Sequence, residues 1–195
     1  MKLWISVFLL LIVSCWSYSD PSQATFEKIY RNALSASERK DVKDDLSRII
    51  VSFQSSNSAI PLYYLSISQI YYRLGDTEKA FNEVKKEQNL LGKMALGALL
   101  VITGKKSDGY RVLSDLAHIY YTRIMQERNN QKAKLRLASN LVIVSKIAGV
   151  DDTNGFLSLL VNNGALLQDD VVSARDYVSL DRNQILTTMW PQPLH

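Results

Sequence analysis

Apolar residues recur along most of this chain at steps of three and four, the spacing that keeps side chains on one face of an α-helix. Phe26, Ile29, Tyr30, Ala33 and Leu34 form one such stripe, and Val42, Leu46, Ile49, Ile50 and Phe53 form the next. Asp20-Pro21 predicts the start of the first helix, because proline suits the first helical turn and aspartate the cap before it. The polar stretches "SAS" at 35–37 and "QSSNS" at 54–58 separate the stripes, and Pro61 sits near the start of a third helix. Near the other end, Asp181-Arg182-Asn183-Gln184 reads as a capping box ahead of Ile185, Leu186 and Met189, and Pro191 stops the helix. Trp190 is then either a plug against that last helix or a frayed aromatic; the area a tryptophan buries favours the plug. No sustained strand-like alternation occurs. The patterning predicts an all-α fold of antiparallel helix pairs.

The stretch "LYYLSISQIYYRLGDTEKAFNEVKKE", residues 62–87, sharpens this picture. Gly75 can end a helix in the left-handed conformation, Asp76 or Thr77 can cap the next, and Ala80 is small enough for two backbones to approach. With Tyr64, Ile67, Ser68 and Tyr71 before the turn and Ala80, Phe81 and Val84 after it, the stretch resembles a tetratricopeptide repeat. A degraded second unit contains Leu96, Gly97, Leu100, Gly104, Gly109, Tyr110 and Leu113, and a weaker third runs through Leu141, Val142 and Ser145 to Gly149. The turn glycines lie 29 and then 45 residues apart, off the regular period of 34. The resemblance implies a divergent superhelix whose concave surface recognises a partner. Carried over to this chain, that surface comprises Leu62, Leu65, Gln69, Tyr72 and Arg73. A phenol, a guanidinium and an amide suit protein recognition. The equivalent places in the second unit are Leu91, Met94, Ala98, Val101 and Ile102. A helix apolar on every side is buried on every side, so this groove is filled by another helix of the chain or holds an apolar ligand or an amphipathic partner helix.

The N-terminal "MKLWISVFLLLIVSC" has a positive end at Lys2 and an apolar run from Leu3 to Val13, the length of a signal-peptide hydrophobic region. Ile12-Val13-Ser14-Cys15 resembles the lipobox of bacterial lipoproteins, which implies that Cys15 is acylated and becomes the first mature residue. Two other readings fit the same residues: simple cleavage after Ser17 or Ser19, and an uncleaved N-terminal anchor. On the lipoprotein reading, 1–14 is the signal peptide, 15–20 the tether and 21–195 a single helical-repeat domain. Trp16 stands where enteric bacteria use aspartate as an inner-membrane retention signal, so the resemblance favours the outer membrane.

Charge changes little. The chain of 195 residues carries a formal net +4, but from Asp151 onward six aspartates face only Arg175 and Arg182. Solvated helix faces account for most such asymmetry, including the five cations between Arg123 and Arg136. Export argues against a nucleic-acid partner. Cys15 is the only cysteine and His118 and His195 the only histidines, so no zinc set of ordinary spacing exists. His118, among Leu113, Ala117 and Tyr121, reads as an interhelical histidine and not a base. "TGKKS" at 103–107 lacks the upstream glycine of a phosphate loop, and "DDTNG" at 151–155 lacks the first and twelfth ligands of a calcium loop. The adjacent aspartates 44–45 and 169–170 point apart on a helix.

The sequence therefore predicts a binding protein and not an enzyme, with no cofactor and no metal. The expected partners are an envelope protein or peptide and, through acylated Cys15, a membrane. A periplasmic carrier of an apolar ligand and a secreted, unanchored helical binding protein are the alternatives.

Overall fold

The computed structural model describes residues 21–55, 62–127, 129–150, 153–167 and 181–194. Those residues are all-α, with nine helices packed in sequential antiparallel pairs and no strand. In chain order the helices are α1 (Pro21–Ser35), α2 (Arg39–Ser55), α3 (Tyr63–Arg73), α4 (Thr77–Val84) and α5 (Leu90–Ile102). They continue as α6 (Lys106–Gln126), α7 (Gln131–Ile147), α8 (Thr153–Asn162) and α9 (Arg182–Met189). The chain divides into two compact units, Met1–Gly92 with Thr187–His195, and Lys93–Leu186, so the boundaries fall inside α5 and α9.

In the first unit, α1 packs against α2 and α3, and α3 pairs with α4. Both apolar stripes point inward. Phe26, Tyr30, Ala33, Val42, Leu46 and Ile49 meet Tyr63, Ile67, Ile70 and Leu74 in one core. The Phe26 ring lies parallel to Tyr30 at 6.3 Å and tilted against Tyr63 at 5.9 Å, separations at which aromatic pairs attract beyond their area. The side chain of Phe53, together with Pro61, lies outside the described residues.

The turn between α3 and α4 follows its residues. Gly75 takes φ +79°, and the N–H groups of Gly75 and Asp76 donate to the carbonyls of Tyr72 and Tyr71, closing α3. Of the two candidate caps, Asp76 is the one used: its carboxylate accepts from the Lys79 N–H at 3.2 Å and pairs with Lys79 Nζ at 2.8 Å. Those hydrogen bonds hold the Asp76 carboxyl below the ordinary aspartate range. Fully buried Ser68 donates its hydroxyl to the Ala80 carbonyl at 2.6 Å, and Ala80 is itself fully buried. Just before α3, Leu62 is buried and holds φ +58°, the one positive φ outside glycine among the described residues. A left-handed backbone costs a non-glycine residue roughly 1–2 kcal/mol.

The second unit is built on close backbone approach. A Cβ added to Gly109 would lie 2.9 Å from the Gly97 carbonyl oxygen and 2.7 Å from Val101 Cγ2, and one on Gly97 would meet Leu113 Cγ at 2.7 Å. Two glycines from facing helices thus set the separation of α5 and α6. Helix α6 pairs with α7 and α7 with α8, burying Leu113, Leu116, Tyr120, Ile124, Leu141, Val144, Ile147, Leu157 and Leu160. Asn130 caps α7 by accepting from the Ala133 N–H, and Glu127 accepts from the N–H groups of Asn129 and Asn130. The N-terminus of α9 is capped in both directions: Asp181 accepts from the Asn183 N–H, and Gln184 Oε1 returns the contact of a capping box by accepting from the Asp181 N–H. Arg182 then donates to the Ile147 carbonyl at 3.0 Å, at the negative end of α7, and to the Tyr110 hydroxyl at 2.8 Å.

One expectation about a polar residue changes. His118 is exposed on α6 and not interhelical, because Leu113, Leu116 and Tyr120 take the inward face. Asp44 is solvated, whereas Asp45 is buried and reaches Arg48 at 3.3 Å, one turn on. The pair at 169–170 and the Asp151-Asp152 stretch lie outside the described residues.

Candidate functional site

Helix α3 carries two rows of side chains: Ile67, Ile70 and Leu74 complete the core, and a second row contains Leu65, Gln69, Tyr72 and Arg73. Together with Leu62 just before the helix, that second row is the surface expected to meet a partner. Leu62, Leu65, Gln69 and Tyr72 are buried and Arg73 is half-buried. Over the last three lies the chain's own tail, Met189–Leu194.

Gln69 is the centre of this arrangement. It is only 2 % exposed, yet both ends of its amide are satisfied: Nε2 donates to the Met189 carbonyl at 2.5 Å, and Oε1 accepts from the Tyr30 hydroxyl at 2.5 Å. A buried amide without such partners is costly. Burial also raises the Tyr30 pKa far above the ordinary tyrosine value, so its hydroxyl keeps the proton it donates. Beyond Met189, Trp190 is 1 % exposed and stands edge-on to Tyr72, centroids 5.5 Å apart at 76°. The tryptophan is a plug, as its size suggested, and its seat includes a tyrosine of α3.

Two arginines grip the rest of the tail by its main chain. Arg73 Nη1 donates to the Gln192 carbonyl at 3.2 Å, Nη2 donates to the Ala36 carbonyl, and the Arg73 carbonyl accepts from the Leu194 N–H at 2.8 Å. Arg39 Nη1 donates to the Leu194 carbonyl at 3.0 Å, and the Leu194 side chain packs against the core. The two prolines, Pro191 and Pro193, have no N–H to satisfy. These polar contacts all engage the backbone of the tail. Its side chains are held by packing: Met189 and Trp190 are buried, and Leu194 lies against the core.

The electrostatics are one-sided. Burial draws the Arg73 pKa below its ordinary value, but an arginine stays cationic in a protein. Its acceptors are neutral carbonyls, its Nε is buried without a hydrogen-bond partner, and among the described residues it forms no ion pair. Residues 187–194, "TTMWPQPL", contain no charged side chain.

The second set of expected residues is placed differently. Met94, Ala98 and Val101 are buried on α5, Val101 against Gly109, while Leu91 and Ile102 are half-buried. Cys15 and the lipobox-like residues before it lie outside the described residues. Among the described residues, no helix is long and apolar enough to cross a membrane, and no three His, Cys, Asp or Glu side chains converge to hold a metal.

Sequence reasoning missed Arg39 and the docking of the tail on α3. The available signal was Gln69, an amide in an otherwise inward-facing run that required partners from elsewhere in the chain. Compared with known proteins, this chain matches no family model, no curated protein and no solved structure.

Proposed function

We propose that this chain is a membrane-anchored helical scaffold of tetratricopeptide-like type that recognises a protein or peptide in a bacterial cell envelope. The observation that carries the reading is how α3 holds the chain's own tail. Gln69 and Arg73 bind main-chain carbonyls, and Tyr72 packs on an aromatic anchor. Backbone hydrogen bonds that supply affinity, with a pocket that selects one side chain, are the general chemistry of extended-peptide recognition. The repeat-like turn at Gly75-Asp76 and the Ser68–Ala80 contact support the same reading. Cys15, acylated, fixes where that surface works, with the outer membrane preferred over the inner.

The test combines address and binding. The intact mass of the mature protein from its native membrane is measured beside a Cys15→Ala variant, and a photocrosslinker replaces exposed Glu38, beside Arg39. Diacylglycerol and fatty acid on Cys15, lost in the variant, and a discrete crosslinked envelope protein are expected. An unmodified chain beginning at Tyr18 or Asp20 that crosslinks nothing sinks the anchored scaffold.

A further inference from the structure

We draw no further inference here: the strongest candidate, the patch of exposed cations Arg123, Lys132 and Arg136 on either side of the turn between α6 and α7, with exposed Met125 in the same stretch, carries nothing, because surface cations are ordinarily solvated and nothing in the structure shows what would cover them.

Discussion

Gln69 and Tyr120 are opposite cases of a polar group inside an apolar core. The Gln69 amide bridges the Tyr30 hydroxyl and the Met189 carbonyl, so Gln69→Leu strands two buried groups at once. Leaving buried hydrogen-bonding groups unsatisfied costs about 1–3 kcal/mol each. The variant is therefore expected to unfold at lower urea concentration by about 2 kcal/mol or more, with an unchanged slope. The Tyr120 hydroxyl, by contrast, is buried with no hydrogen-bond partner. Tyr120→Phe removes a group that gained nothing on folding, so at neutral pH it is expected to be neutral or stabilising by up to about 1 kcal/mol. Burial pushes the Tyr120 pKa up from 10.0 to about 12, and burial does the same for Tyr63. A phenol whose folded pKa is raised by burial draws no stability from the fold below pH 10.0 but makes the fold lose stability as pH rises towards about 12, because the unfolded chain ionises first. Urea midpoints measured at increasing pH across that window are expected to fall less steeply in Tyr120→Phe than in the wild type.

At the scale of single elements, local rules accounted for much of what is observed. The stripe from Phe26 to Leu34, the stop at "SAS", the glycine at the end of α3 and the capping box on α9 were legible because each depends on residues within one or two turns. Asp181→Ala should therefore cost about 1 kcal/mol, detected as a lowered thermal midpoint. The contact between α5 and α6 was only half legible. Gly97 and Gly109 stood out as repeat-like positions, but a sequence does not say that a Cβ on one would lie 2.9 Å from the backbone of the other. Gly109→Ala must push a carbonyl aside and is expected to destabilise the second unit by about 1–3 kcal/mol. Hydrogen exchange at α6 amides should show it. His118 was misjudged because three stronger apolar residues around it claim the inward face. The tail's seat on α3 was not legible, since the hydrogen bonds that define it join residues 119 and 120 positions apart. Periodicity carries no information about pairings of that range.

For the whole molecule, the two units have separate cores, and the tail belongs to the first although it follows the second in sequence. Trp190→Ala removes a fully buried side chain, a change that costs about 3–5 kcal/mol. Its effect on hydrogen exchange is expected to concentrate in α1–α4 and leave the amides of α6 and α7 protected. Equal loss of protection in both sets would contradict that assignment. The same connectivity also orders events in time. Residues Thr187–Leu194 emerge from the ribosome only after the whole of Lys93–Leu186, so Tyr72, Gln69 and Arg73 are made long before the segment that covers them. Throughout that interval the first unit lacks its last structural piece. Closure of the first unit by its tail is therefore the last contact in it that synthesis makes possible, after every intervening residue has been made.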